Sequence, residues 1–211
     1  MLTAILPMTV DTKKLIKKIT KEKFEGLGLK QKGQSRLWYY LGDYYLILIE
    51  FQPSSWDNGT YLNIGLDFNW YPKDHFSFEF GYRLSEFKKS TDEKQLEREL
   101  QQLCDLAIDQ FFRFKDIFSD NKSAADKLLK FHKGKMNDWE KFSIGVLFGL
   151  GGQNVKAIEY LKIVSSDQYK LDWEIKRAVI ARDYIKTIER GDFLTKLIEV
   201  VEQTKKLKKV N

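Results

Sequence analysis

Thr60-Tyr61-Leu62-Asn63-Ile64-Gly65-Leu66-Asp67-Phe68-Asn69-Trp70 decides how this chain folds. Leu62, Ile64, Leu66, Phe68 and Trp70 are apolar, and Asn63, Asp67 and Asn69 between them are polar. A period of two places the sets on opposite faces of a β-strand, one toward a core and one toward water. Residues 76–84 repeat the pattern, with Phe76, Phe78, Phe80, Tyr82 and Leu84 expected inward and Ser77, Glu79 and Arg83 outward. Upstream, residues 35–41 and 44–52 are β-favouring runs separated by Gly42-Asp43, which reads as a two-residue hairpin turn. Residues 53–59 and Tyr71-Pro72-Lys73-Asp74 supply the other turns. Four consecutive strands with short connections predict an antiparallel meander, packed on one face and polar on the other.

Helices flank the strands. Asp11 is placed to cap a helix over residues 12–25, with Leu15, Ile16 and Ile19 as its apolar stripe and Gly26 and Gly28 as its stop. Ser90 and Glu93 have the spacing of a capping box. The helix after them carries Leu96, Leu100, Leu103, Ala107, Phe111, Phe114 and Phe118 at steps of three and four, a stripe long enough to cover the meander. Residues 121–211 read as helices almost throughout: a short one at 122–132, a pair around Gly151-Gly152, then 172–190 and 192–207 joined at Gly191. The pair is expected to bury Trp139, Phe142, Val146 and Leu150 on one side and Val155, Ala157, Ile158, Leu161 and Val164 on the other. The expected fold is therefore α+β: an N-terminal helix, a four-stranded antiparallel meander and a long covering helix in residues 1–120, then a helical hairpin region in 121–211, separate or packed with the first as one unit.

Composition excludes several classes. The net charge of +6 comes from 36 basic and 30 acidic side chains, and its excess sits at the ends, +3 in residues 1–29 and +3 in 136–211. The aromatic-rich stretch 30–84 carries five basic and six acidic groups, the reverse of the basic, aromatic-interleaved stripe that a nucleic-acid surface needs. Lys13, Lys14, Lys17, Lys18 and Lys21, and Lys205, Lys206, Lys208 and Lys209, are read as solvated helix faces, the last group favoured by the helix dipole. The single cysteine, Cys104, excludes an internal disulfide and is expected buried and inert, and His75 and His132 fit no metal-ligand spacing. No metal and no cofactor is expected. No apolar run reaches the roughly 20 residues of a membrane helix. The apolar start, residues 1–10, has no basic residue before it and is broken by Pro7, so it reads as a disordered or edge segment rather than a signal peptide, and a cytoplasmic location is expected. Ser54-Ser55 lacks the nucleophile elbow, Gly149-Leu150-Gly151-Gly152 follows a helix and lacks the phosphate-loop ending, and the sequon Asn58-Gly59-Thr60 carries no meaning in that compartment.

Phe24-x-x-Leu27-Gly28-Leu29-Lys30-x-Lys32-Gly33, leading into Trp38-Tyr39, then Glu50-Phe51-Gln52-Pro53-Ser54-Ser55-Trp56 and Tyr61-Leu62-Asn63-Ile64-Gly65, form a pattern over about residues 12–120 that resembles the bacterial domain-of-unknown-function family 4304. Leu29 stands where that pattern usually has an aromatic, and Pro53 interrupts the Gln-Ser stretch, where a strand must end or bulge. The resemblance implies a small intracellular accessory protein with no agreed activity, of immunity type where a toxin is encoded nearby. Residues 151–161 are similar to the turn and second helix of a single tetratricopeptide hairpin, without the repeat of about 34 residues that an array requires.

No catalytic residue is assigned. The resemblance singles out Gln52, Ser54, Trp56 and Asn63. They are either a polar patch with Trp56 as aromatic anchor, or supports of their own loop, with Gln52 and Asn63 bonded to its backbone and Trp56 tucked beneath it; the structural reading is preferred because a long loop must satisfy its own amides. The outward strand face adds Glu50, Asp67, Glu79 and Arg83, with Arg36 and Trp38. Carboxylates there do acid–base work only if burial raises one pKa; docking of a partner, or coverage by the C-terminal helices, is the preferred reading. The expected function is a non-enzymatic module that binds another protein through the polar sheet face or the groove between sheet and helical hairpins. A hydrolase-like enzyme using those carboxylates and a weak nucleic-acid binder are the alternatives.

Overall fold

The Asp11 carboxylate accepts the Lys14 backbone N–H at 3.0 Å and opens helix α1 (Thr12–Phe24) as the sequence predicts. This is seen in a computed structural model that describes residues 11–210 apart from 55, 58, 90, 91 and 167. The expectations for residues 1–10, for Ser90 in the capping box and for Asn58 in the sequon lie outside the described residues. Leu15, Ile16, Ile19 and Phe24 are buried, and Gly26 and Gly28 stop the helix at φ +84° and +76°.

Among the described residues six strands follow: β1 (Lys30–Gln31), β2 (Leu37–Leu41), β3 (Tyr45–Pro53), β4 (Gly59–Phe68), β5 (Phe80–Arg83) and β6 (Lys88–Lys89). Their order is β1-β2-β3-β4-β5, with β6 pairing antiparallel with β4 as well. The expected meander is thus β2 to β5, and two two-residue strands too short to show any alternation are added to it. The hairpin between β2 and β3 closes with the Gly42 N–H on the Tyr45 carbonyl at 2.9 Å, so its loop is Asp43-Tyr44, one residue later than predicted. A side chain at Gly42 would lie 2.5 Å from the Tyr45 ring.

Leu62, Ile64, Leu66, Phe68 and Trp70 are all at 0% exposure, as their alternation requires. The other half of that expectation is corrected: Asp67 and Asn69 are also at 0%. Phe76 to Leu84 is corrected too. Only Phe80 to Arg83 forms strand, and of the five residues expected inward only Phe80 is buried, while Phe78 and Tyr82 stay 38% exposed. The cause is a pair of glycines. A Cβ on Gly65 would stand 2.6 Å from the Gly81 Cα, and one on Gly81 would stand 2.7 Å from the Phe78 Cβ, so Phe78 folds back over the space two missing side chains leave.

Helix α2 (Glu93–Ile117) is started by Asp92, whose carboxylate accepts the Gln95 N–H at 2.8 Å, and its predicted stripe from Leu96 to Phe118 is buried throughout. Then come α3 (Asn121–Phe131), α4 (Asp138–Leu150), α5 (Asn154–Ile163), α6 (Asp172–Arg190) and α7 (Phe193–Lys208). Asn137 and Glu140 form a reciprocal capping box on α4, and Gly191 joins α6 to α7 at φ +83°. Close approach of α4 and α5 depends on Gly145, where a Cβ would meet Leu161 at 2.9 Å. Val155, expected in the apolar stripe of α5, is 74% exposed, because Ala157 and Leu161 already fill the buried side of that helix. Among the described residues no helix is long and apolar enough to cross a membrane.

The chain forms two compact units, and the division runs through β2 to β5 and α2. The first holds residues up to Tyr40, Leu48–Ile64 and Tyr82–Gln110; the second holds Leu41–Ile47, Gly65–Gly81 and Phe111–Asn211. In the first, Phe24 meets Trp38 edge-on at 5.3 Å and Phe51 at 6.4 Å. In the second, Trp70 stacks on Phe68 at 3.9 Å and accepts the Tyr184 hydroxyl on its carbonyl at 2.7 Å. Substituting Gly65→Ala forces a methyl against the Gly81 backbone; the expected loss is about 1–3 kcal/mol of stability, read as a lower urea midpoint at unchanged slope.

Candidate functional site

Lys73 follows Pro72 in a turn, where a lysine is ordinarily solvated, yet its side chain is only 8% exposed. Asp67 on β4 explains this. Its Oδ1 accepts from Lys73 Nζ at 2.7 Å and its Oδ2 from Lys208 Nζ at 2.9 Å. Lys73 also donates to the Glu79 carboxylate and to Ser77 Oγ at 2.6 Å. Lys208, the last residue of α7, donates further to the Phe68 carbonyl at 3.2 Å and to Asn69 Oδ1 at 2.9 Å. The other Glu79 oxygen accepts from Ser143 Oγ on α4 at 2.8 Å, and Trp70 Nε1 bonds the same hydroxyl at 3.3 Å. Two ammonium groups and two carboxylates thus alternate in one buried chain of zero net charge.

The two lysines differ in what burial does to them. Burial disfavours the Lys73 ammonium, but Glu79 and Asp67 together outweigh it, and its pKa is raised. For Lys208 burial wins over the carboxylate of Asp67 and the more weakly acting one of Glu79, with Lys73 repelling, and its pKa falls to about 8. Reading the C-terminal lysines as a solvated face is therefore wrong for Lys208, which is 1% exposed. A sequence signal existed: Leu197, Val201, Thr204 and Lys208 fall on one stripe at steps of four, three and four, and all are buried.

Beside this chain lies a cleft of about 680 Å³, with Lys73, Ser77 and Glu79 in its lining and Tyr71, Phe78, Trp139 and Trp173 as walls. Trp139 enters from the first turn of α4 and Trp173 from the first turn of α6; their rings are nearly parallel, with centroids 6.0 Å apart, and Tyr71 meets Trp139 edge-on at 4.7 Å. Arg177, 1% exposed, steadies these walls. Its guanidinium lies 4.9 to 5.5 Å from the rings of Tyr169, Trp139 and Trp173 and bonds Asp138 Oδ2 at 3.3 Å, where the Tyr169 hydroxyl also donates at 2.7 Å. Burial opposes ionisation of Asp138, but Tyr169, Lys141 and Arg177 outweigh it and hold the carboxyl below its ordinary range. Lys176 reaches over the Tyr71 ring at 5.3 Å, with Asp74, His75 and Asp172 completing the rim.

The nine predicted binding residues divide between the units. Asp67 and Glu79 belong to the second unit, where the face expected to be wet is closed over by α4 and α7 through Ser143 and Lys208. In the first unit, Asn63 Nδ2 donates to Glu50 at 3.0 Å and to Gln52 Oε1 at 2.9 Å, and Arg83 donates to the same Gln52 oxygen at 3.2 Å while stacking 3.9 Å over Tyr61. Gln52 and Asn63 therefore bond side chains across strands, in place of the loop backbone expected of them. Ser54 Oγ accepts the N–H groups of Trp56 and Asp57 at 3.1 and 3.3 Å, and Asp57 pairs with Lys89 at 2.7 Å. On that loop Trp56 is 96% exposed, correcting the expectation that it tucks beneath. Trp38 is also corrected: at 7% exposure it packs on Phe24 and is no part of an open face. Arg36 is partly buried beside it. Cys104 is buried, which pushes its thiol up to about 12, and among the described residues no group of three or more His, Cys, Asp or Glu side chains is arranged to hold a metal ion.

Replacing Lys208 with Met leaves Asp67 buried with one counter-charge fewer; the expected cost is about 3–5 kcal/mol, part of which a second change, Asp67→Asn, recovers. The pH dependence carries a sign. A depressed lysine pKa means the unfolded chain binds more protons than the native one between about 8 and 10.5, so Lys208 adds stability as pH rises through that window. The stability gap between wild type and Lys208→Met is expected to widen by up to roughly 3 kcal/mol from pH 8 to 10.5, measured by urea unfolding.

No protein-family model, no curated protein and no solved structure matches this chain.

Proposed function

We propose that this protein is a cytoplasmic binding module for another protein, without catalytic chemistry of its own, and that the cleft of the second unit receives an apolar side chain of the partner. The observation that carries this reading is the cleft itself: about 680 Å³ walled by four aromatic side chains, of which Phe78 and Trp173 remain 38% and 45% exposed. Concave, aromatic-lined sites with a few fixed polar groups are where binding energy concentrates, and rigid tryptophans dominate hot spots. Trp139 and Trp173 are held in place by Arg177 before any partner arrives, which lowers the ordering cost of association.

The polar lining weighs against the alternatives. A hydrolase-like site needs a carboxyl free to take up and release a proton. Both oxygens of Glu79 are already engaged, one by Lys73 and the other by Ser143. Asp74 and Asp172 outnumber Lys176 at the rim, which disfavours a phosphate backbone in this cleft. The immunity-type version of the proposal rests on the family resemblance alone.

Phe78→Ala and Trp173→Ala remove exposed rings and are expected to leave the fold intact. A protein captured by the wild type from the native host is expected to be lost by both variants, and its purified form to bind each at least tenfold more weakly in calorimetry. Identical captured proteins at identical affinity would overturn the cleft as the docking site.

A further inference from the structure

We propose that the first unit carries a binding site for a phosphate group, built from Arg36, Trp38, Lys13 and Lys17. Two N–H donors there are shut away from solvent without an acceptor: Arg36 Nη1 and Trp38 Nε1. The indole is 7% exposed, so water at the surface does not serve it. Buried donors in folded proteins are nearly always paired, and each one left unpaired costs about 1–3 kcal/mol. Both residues line one small pocket of about 20 Å³, together with Lys13 and Lys17 of α1 and with Gln34.

The size and the charge of this pocket define its ligand. A cavity of about 10–15 Å³ accommodates one water-sized group, so this pocket, lined by both residues that carry an unpaired donor, has room for a single oxygen atom. The remainder of the ligand then sits at the mouth, where Lys13 and Lys17 are exposed. Among the described lining residues three are cationic and none is a carboxylate. A neutral water satisfies the two donors and leaves the charge uncompensated, and a carboxylate brings one negative charge to three positive ones. A phosphate dianion serves the donors and compensates two of the three charges. Burial lowers the Arg36 pKa, and the one acid whose field opposes this is Asp11, whose carboxylate is already spent on the N-cap of α1. A guanidinium in that setting gains from an added anion.

The Trp38 indole N–H, assigned with a Trp38→Phe variant, reports occupancy directly in proton–nitrogen correlation spectra. Inorganic phosphate is expected to shift this resonance saturably, with sodium chloride at matched ionic strength producing no saturation and acetate binding at least tenfold more weakly. Glycerol 3-phosphate separates the sources: tighter binding than inorganic phosphate assigns the site to a phosphate ester on a larger molecule, and equal or weaker binding assigns it to the free ion. The double variant Lys13→Gln, Lys17→Gln alters exposed side chains only and is expected to weaken phosphate at least tenfold at unchanged Tm; Arg36→Gln is expected to abolish the shift. A shift linear in salt, equal for chloride or acetate, or undiminished in the lysine double variant would overturn the proposal, and the lysine pair decides it even if Arg36→Gln does not fold.

Discussion

The second unit depends on one constraint: Asp67 is an ionisable side chain with no access to water, held by two lysines that are themselves buried. A lone carboxylate in such a place would be too costly to keep charged. The cost is met because Lys73 arrives from the turn after β4 and Lys208 from the end of α7, and Glu79 balances the second positive charge. Every N–H of the two ammoniums has an oxygen to bond, among them the Phe68 carbonyl and Asn69 Oδ1. Four charges of similar volume replaced by well-packed apolar groups would often be as stable or more so. What the charges add is selection of one arrangement. A one-residue slip of β4 would carry Asp67 to the opposite face and strand two ammoniums in the interior.

The same chain of groups prepares the cleft. Glu79 is fixed by Lys73 on one oxygen and by Ser143 on the other, and Ser143 is fixed in turn by the Trp70 indole. Tyr184 then bonds the Trp70 carbonyl from α6. On the other side of the cleft, Asp138, Tyr169 and Arg177 clamp Trp139 and Trp173. Both clamps use an ionic group buried among aromatics, where weak surrounding screening strengthens each contact. A cleft supported on both sides in this way can hold its shape while empty, which is the property a docking surface needs most.

Much of this architecture is legible in the sequence, and the illegible parts share a cause. The inward set Leu62 to Trp70, the stripe of α2, the cap at Asp11 and the bounds of α6 follow from local periodicity and capping, which the chain states within ten or twenty residues. The expected wet face does not, because whether Asp67 is solvated depends on Lys208, 141 residues away. Strand periodicity says which side chains share a face and is silent on what later covers it. Phe78 misled for a different reason: a phenylalanine in an alternating run reads as core, and only the glycines at 65 and 81 let it lie across them instead. Of the candidate residues, Asn63, Gln52 and Arg83 do converge, since cross-strand neighbours follow from register, while nothing local marks Trp173 and Arg177, whose place in the cleft depends on Trp139 of α4.

That pattern bears on how the carboxylates should be understood. Asp67 and Glu79 come into question for acid–base chemistry only if burial raises the pKa of one of them. Such a pair works when unequal surroundings keep one acid protonated and accessible. Here each acid is bonded to an ammonium, and the lysine they share has all three N–H groups engaged. A substrate reaching the cleft would find the carboxylates already neutralised and the aromatic rings still open. On the proposed reading the cleft works by contact and shape, and its selectivity would come from the fit of an apolar group against Tyr71, Phe78, Trp139 and Trp173, and from the signs of Asp74, Asp172 and Lys176 at the rim.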